Sequence, residues 1–345
     1  MSVRFGREKA FDNSKVEIIN RRLSVGSLRS KAGWQPALQS GKIMKIFLTG
    51  ATGFVGSVVA EKLKGKGHKI VGLARNDEAE AKLSEKNIEA VNGDVSDFDV
   101  LKRAAQDADA VIHTAFSHGF AEFSDAVKLE REVIKTFGDA LAQTNKPVVV
   151  TSGSSVLGDT RGNVADEDYP FDQNAPRVLR GEAERDVLQL SSKGIRPIVL
   201  RLPLFVYGRG ASSFVPFVIN QAKAKNAANY VESGEQKVSA VHIEDAAELY
   251  VLALETSTAK GLYNVAAESV SMREMNEAVG RLLDVKAKSI SAEKARQQFG
   301  KMFDFLSINN QLSAEKATRD LKWEINSNRT ILDDIENGSY RKFKE

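Results

Sequence analysis

The chain has no cysteine and only four histidines in 345 residues. The first absence excludes disulfides and thiol nucleophiles. His68, His113, His118 and His242 are too scattered to supply a structural zinc site, so no metal is expected. Long apolar runs are missing as well. The stretch from Ile198 to Val206 is interrupted by Arg201 and Pro203, far short of the ~20 apolar residues that span a membrane. Charge of one sign does not dominate either, because 49 Lys plus Arg face 46 Asp plus Glu, a formal +3. That sum hides a split. Residues 1–43 hold nine basic and three acidic groups, a balance of +6, and the rest of the chain stands at −3. A slightly acidic body gives no support for nucleic-acid binding, which usually shows a basic face.

With 42% hydrophobic residues, the chain is that of an ordinary globular protein with a large core. Residues 1–43 lack sustained periodicity and collect Ser, Arg, Gly and Pro, which predicts a mostly disordered extension. Its Arg and Ser content leaves organelle targeting as an alternative to the expected cytoplasmic location. From Met44 the pattern changes. Lys45 to Thr49 reads as a buried parallel strand, followed by a glycine-rich turn and a helix with Val55, Val58, Val59 and Leu63 on one face. Further strands are expected at Lys69 to Ala74, Ile88 to Val91, Ala110 to Thr114, Pro147 to Ser152 and Arg196 to Leu202. Helices fall between them, the longest over Ala121 to Thr144 and Arg177 to Ser192. This alternation predicts an α/β fold, a Rossmann-type doubly wound parallel sheet with a smaller C-terminal substrate lobe. The expected division is a nucleotide-binding domain over residues 44–208 and an interleaved substrate lobe over residues 209–345.

The turn Thr49-Gly50-Ala51-Thr52-Gly53-Phe54-Val55-Gly56 places glycines at intervals of three between a strand and a helix. The first permits the sharp turn, the second lets backbone approach a pyrophosphate, and the third lets the helix pack close to the sheet. Phosphates would then meet free amides at the positive end of the helix. At the end of the second strand, where an NAD-selective protein places an acid, this chain has Ala74 followed by Arg75. An arginine can pair with a 2′-phosphate, which favours NADP over NAD.

Taken together, these residues resemble an extended short-chain dehydrogenase/reductase, the superfamily of NAD(P)-dependent epimerases, dehydratases and related reductases. Asp94-Val95 resembles the pair that contacts adenine, and Val111-Ile-His-Thr-Ala115 the segment beside the cofactor. Arg201-Leu-Pro203 with Val206-Tyr-Gly208 is similar to the family segment near the nicotinamide. Val241-His-Ile-Glu-Asp245, Tyr263-Asn-Val265 and Leu321-Lys-Trp323 look like landmarks of the substrate lobe. The turn and the resemblance together assign to the cofactor Gly50, Thr52, Gly53, Phe54, Val55, Gly56, Arg75, Asp94, Val95, Thr114, Ala115, Phe116, Arg180, Leu202 and Pro203.

The resemblance breaks at the usual Tyr-x-x-x-Lys pair. Aligned on Glu184, the Tyr position holds Pro176 and the Lys position Arg180. Pro has no acid group, and Arg stays protonated, although it can still hold a hydroxyl or phosphate. Gly153 stands where the family has a hydrogen-bonding Ser, and a slip of one residue supplies Ser152 or Ser154. This chain is most similar to an atypical epimerase/dehydratase-like branch. Tyr169, in the loop Asp166-Glu-Asp-Tyr169, and His118, past the fourth strand, are the candidate replacements for the missing acid; Ser152, Ser154 and Arg180 complete the catalytic candidates. The expected activity is that of an NAD(P)-dependent oxidoreductase or epimerase-like enzyme on a small carbonyl or hydroxyl compound. The alternative is a cofactor-binding sensor or regulator that has lost turnover. A small-molecule substrate is the expected partner, with a homodimer left open. If residues 1–43 lie outside the fold, a chain beginning at Met44 keeps full cofactor affinity in a titration; a lost affinity would place them inside it.

Overall fold

The computed structural model describes residues 42–116, 123–173 and 177–345. The expected extension, apart from Lys42 and Ile43, lies outside the described residues, as do His118 and Pro176. The chain alternates strand and helix from its first described element. In order come β1 (Lys45–Thr49), α1 (Phe54–Gly65), β2 (Lys69–Ala74), α2 (Asp77–Glu85), β3 (Glu89–Asn92), α3 (Phe98–Asp107), β4 (Ala110–His113), α4 (Phe123–Ala140), β5 (Pro147–Gly153), the short β6 (Val164–Ala165), α5 (Leu179–Gln189) and β7 (Arg196–Leu202). Then follow β8 (Phe205–Tyr207), α6 (Phe214–Lys225), β9 (Ala228–Val231), β10 (Lys237–His242), α7 (Ile243–Glu255), β11 (Gly261–Asn264), β12 (Glu268–Ser271), α8 (Met272–Leu283), β13 (Ala287–Ile290) and α9 (Ala292–Phe299).

Among the described residues the main sheet has seven strands, ordered β11-β7-β5-β4-β1-β2-β3, and every pairing in it is parallel. The chain winds outward from β1 to β3, then restarts at β4 on the other side of β1. A crevice therefore opens beyond the strand ends between β1 and β4, where loops diverge to opposite faces. Alternation along β1 shows how the sheet is buried on both faces. Ile46 and Leu48 join the cluster of Val58 and Leu63 from α1 and Leu249 and Tyr250 from α7. Phe47 points the other way, against Leu101 of α3, Val133 and Phe137 of α4 and Val187 of α5.

Residues Lys42–Glu345 form one unit. The expected strands and the doubly wound sheet are present, but β11 enlarges it beyond expectation. Tyr263 and Asn264, read from the sequence as landmarks of the substrate lobe, belong to the edge strand of the main sheet, in register with Leu200 and Arg201. Trp323, which the sequence offers as a core-packing residue within its segment, packs into the sheet-side core, its indole N–H donating to the Asp245 carbonyl over 2.9 Å. A separate core holds the C-terminal elements together, with Phe205, Val215, Val238, Met275 and Tyr340 among its members. There a three-stranded sheet pairs β10 parallel to β8 and antiparallel to β12. Among the described residues no helix is long and apolar enough to cross a membrane.

Helix α7 ends against a single cation. Arg196, at the start of β7, donates from Nη1 to the carbonyls of Ala253, Thr256 and Ala259 and from Nη2 to that of Leu254, all within 3.2 Å. The Ala253 and Leu254 carbonyls are ones that a helix terminus leaves without intrahelical partners, at the negative end of its dipole, and those of Thr256 and Ala259 belong to the turn that follows. Arg196→Met should therefore lower stability by about 2–3 kcal/mol in urea unfolding; an unchanged midpoint would show that solvent serves these carbonyls equally well.

Candidate active site

At the switch point the backbone of the glycine turn touches the end of β4. Gly50 has φ +75°, and a Cβ there would lie 2.6 Å from Thr114 Oγ1 and 2.7 Å from the Ala115 nitrogen. A Cβ at Gly56 would meet the same Thr114 oxygen at 2.6 Å and run into the Gly50 carbonyl. Only glycine at both positions lets α1 start this close to the sheet. The helix begins without a side-chain cap, and its first turn carries no acid. Its leading amides, on Phe54, Val55 and Gly56, thus remain bare donors at the positive end of the helix. By contrast, α2, α8 and α9 are capped by Asn76, Ser271 and Ser291.

These features edge a cavity of about 480 Å³, lined by Gly50, Thr52, Gly53, Arg75, Asp94, Val95, Thr114, Ala115, Phe116, His113 and Glu130 among others. Arg75 is exposed at its border. Asp94 is held in a local turn, its Oδ1 accepting from the amide and hydroxyl of Ser96 at 3.1 and 3.0 Å. A second cavity of about 580 Å³ adjoins the first at Thr114 and Phe116. Phe54, Thr151 to Ser155, Arg180, Leu202 and Pro203 form one side of it. Most of the expected cofactor residues therefore line these two connected spaces. Val55 and Gly56 line neither, and only their backbone amides face that end of the helix.

Arg180 is the principal charge between the two cavities. Its Nε and Nη2 donate to Glu130 over 3.3 and 3.2 Å, and Nη2 also donates to the Thr151 carbonyl over 2.9 Å. The guanidinium carbon stacks 3.8 Å above the Phe116 ring. Nη1 is turned toward the end of β5, 3.8 Å from where a Gly153 side chain would begin. Burial pushes the Glu130 carboxyl above its usual range, and the facing Arg180 charge opposes that rise.

The remaining catalytic candidates separate. Ser152 Oγ donates to Glu184 Oε1 over 2.5 Å and is engaged in a buried network. Ser154, two residues on, is buried in the cavity wall, and its hydroxyl has no hydrogen-bond partner. Tyr169 lines neither cavity. Its hydroxyl donates to the Thr160 carbonyl over 3.3 Å, and its ring packs on the small cluster of Val156, Leu157, Ala165 and Leu312. His242, outside that set, caps α7, accepting from the Glu244 amide.

Several lining residues escaped the sequence reading. Phe214 and Phe217 of α6, Phe299, Met302 and Phe305 after it, and Arg177 before α5 all face the larger cavity. Seventeen phenylalanines against six tyrosines and two tryptophans was the available signal. His113 was read only as part of a strand segment. Its Nδ1 lies 2.6 Å from Thr49 Oγ1, and its Nε2 is buried without a partner.

Residues 46–266 match the sequence pattern of the NAD dependent epimerase/dehydratase family. The chain belongs to that family. Within it, the chain is 38% identical to an uncharacterised protein of Schizosaccharomyces pombe over 86% of this chain and 100% of that one. It is 27% identical to the 4-hydroxy-2-methyl-3-oxo-4-farnesyl-3,4-dihydroquinoline-1-oxide ketoreductase of Stigmatella aurantiaca, over 64% of this chain and 67% of the relative. Among solved structures, the UDP-glucuronic acid 4-epimerase of Bacillus cereus, in complex with UDP-glucuronic acid and NAD, superposes with a TM-score of 0.70 at 20% identity. That match covers 87% of this chain and 99% of the epimerase, and it establishes the shared fold.

In this family member, burial, assisted by the nearby Arg180 charge, pushes the His113 imidazole down to about 3. An unfolded histidine titrates near 6.5. Below about pH 6.5 the unfolded chain therefore binds a proton that the native chain refuses until about pH 3, so stability falls with pH across that window, by up to about 1.4 kcal/mol per pH unit for this group. Unfolding free energies measured from neutral pH to pH ~4 should decline less steeply in His113→Asn than in the wild type; parallel slopes would show that His113 is not held neutral.

Proposed function

We propose that the protein is an NAD(P)-dependent oxidoreductase that moves hydride between its cofactor and a small carbonyl or hydroxyl compound. The observation that carries this reading is the junction of the two cavities at Thr114 and Phe116, which joins the glycine turn to a larger chamber bordered by Thr151 to Ser155 and Arg180. The residues fit a dinucleotide. Bare amides after Gly53 suit the pyrophosphate, and the space that a Cβ would fill at Gly50 and Gly56 is taken by the approach of Thr114. Asp94 and Val95 lie where the adenosine would be held, and Arg75 is the group to meet a 2′-phosphate. Thr114, Ala115, Phe116, Leu202 and Pro203 enclose the reactive end. When bound, the cofactor supplies or accepts the hydride.

The chain's own part is to bind and polarise the substrate oxygen. Ser154 donates a hydrogen bond to it from an otherwise unpartnered hydroxyl, and Arg180 Nη1 adds a fixed positive charge as negative charge develops there. A serine hydroxyl is a poor acid near neutral pH, so the oxygen takes its proton from solvent rather than from Ser154. The phenylalanine wall keeps bulk water from the rest of the chamber. The ketoreductase relative supports carbonyl reduction as the direction to test first.

The reading as a sensor without turnover has one specific support: the Arg180 charge is already neutralised by Glu130 at the family's Lys position. Oxidation of reduced cofactor across aldehydes, ketones and sugar nucleotides, beside a cofactor titration, separates the two. Turnover that falls on the order of 10²-fold in Ser154→Ala with cofactor affinity retained is the expected result; tight cofactor binding with no turnover on any compound supports the sensor. In the same titration Arg75→Ala should weaken NADP about tenfold and leave NAD unchanged, and equal NADP affinity in both proteins would remove the 2′-phosphate assignment.

A further inference from the structure

We propose, building on the reading of the cleft as a hydride-transfer site, that its substrate is an aromatic carbonyl compound carrying a carboxylate rather than a nucleotide sugar. The larger cavity has two chemically distinct ends. At the strand ends, next to the cofactor side, the lining is Thr151 to Ser155, where Thr151 and Ser152 spend their hydroxyls on Tyr250 and Glu184 and Ser154 and Ser155 remain. Away from them the wall is made of Phe123, Phe214, Phe217, Phe299, Met302 and Phe305.

The rings are ordered in edge-to-face pairs. Phe116 meets Phe123 at 5.9 Å and 62°, Phe214 meets Phe305 at 5.6 Å and 79°, and Phe217 meets Phe299 at 6.4 Å and 62°. Such pairs expose both ring faces and ring edges to one volume, the surface that a further flat ring packs against by the same quadrupole preference. A volume of about 580 Å³ holds a bicyclic ring system with its substituents.

What the lining lacks is equally telling. Among its described residues there is no Asp, Glu, Asn, Gln or His. A hexose and a nucleobase together bring many hydroxyl, amide and carbonyl groups into a closed space. Each one left without a partner weakens binding. Carboxylates and side-chain amides, the residues that normally serve such groups, are missing among the described lining residues, whereas a ring and its carbonyl ask for few polar partners.

The charges in the lining are all positive: Arg177, Arg180 and Lys301. Arg180 serves the strand end of the chamber, where the proposed hydride transfer takes place. Arg177 sits among the rings, its guanidinium 3.8 Å over Phe123 and 5.4 Å from Phe305, with the charge of Asp304 close enough to act on it. A planar guanidinium among aromatic faces is suited to a carboxylate borne on a ring, since it can pair with the anion and stack on the ring system at once.

The test is calorimetric titration of the full-length, cofactor-loaded protein with naphthoate, an unreactive probe, and with UDP-glucose. Naphthoate should bind. Its affinity should fall about tenfold or more in Arg177→Ala and recover in part in Arg177→Lys, and it should also fall in Phe217→Ala; UDP-glucose should bind at least tenfold more weakly than naphthoate. Thermal melts identify any variant that has lost its fold, in which case the two probes are compared on the wild type alone. UDP-glucose binding more tightly than naphthoate, or naphthoate affinity indifferent to both positions, overturns the inference. Naphthoate binding without reduction of the matching naphthaldehyde upholds the ligand class and removes the hydride-transfer reading. Turnover of short aliphatic aldehydes without naphthoate binding does the reverse.

Discussion

A buried ion pair holds the site together. Arg201 on β7 and Glu184 on α5 are both almost wholly removed from solvent, and they meet through Nη2 and Oε2 at 2.6 Å and Nε and Oε1 at 3.1 Å. Burying two charges costs several kcal/mol per ion unless every remaining valence is served. Here Ser152 donates to Glu184 Oε1, while Arg201 Nη1 donates to Asn264 Oδ1 over 3.2 Å. Asn264 in turn donates to the Ala165 carbonyl, and its own amide donates to Glu167. The network thus ties β5, β7, β11 and α5 to the loop around β6. Removing one partner from such a pair generally costs ~3–5 kcal/mol, because the other charge is left buried alone.

The position of Arg180 follows from that pair. Arg180 and Glu184 are one helical turn apart on α5, on the face turned toward the sheet. Fixing Glu184 to β7 therefore aims Arg180 at the end of β5, where it reaches Glu130, Thr151 and the Phe116 ring. This cation stands at the position that the sequence, aligned on Glu184, sets against the lysine of the resembled superfamily. It is a permanent one, already balanced by an acid, so it can hold and polarise without exchanging protons. Ser154 lies beyond the network at the end of β5, a residue of the chamber wall whose buried hydroxyl has no protein partner.

The glycine turn and the sheet were legible in the sequence because their causes are local. A close backbone approach leaves glycine at Gly50 and Gly56, and a strand buried on both faces leaves apolar runs such as Lys45 to Thr49. The parts that escaped depend on distant pairing. Nothing local to Tyr263 and Asn264 marks them as partners of Leu200 and Arg201. The phenylalanine wall is assembled from the start of α4, from α6, and from the end of α9 and the segment after it, and helical spacing shows that Phe214 and Phe217 share a face without showing that the face borders a cavity. Tyr169 is the converse case. An acidic loop before the helix suggested a reach inward, but the ring is drawn into a small apolar cluster and its hydroxyl is taken by Thr160. Direction, more than residue type, is what a single sequence withholds.

The account rests on hydride passing from a cofactor in one cavity to a carbonyl in the other. Reduced cofactor labelled with deuterium at the transferable carbon position, incubated in single turnover with a carboxylated aromatic aldehyde, tests that passage directly. Deuterium on the carbinol carbon of the recovered alcohol is the predicted result. Bound cofactor that keeps its label, with the aldehyde recovered unchanged, would contradict the account and leave a protein that holds the dinucleotide without using it.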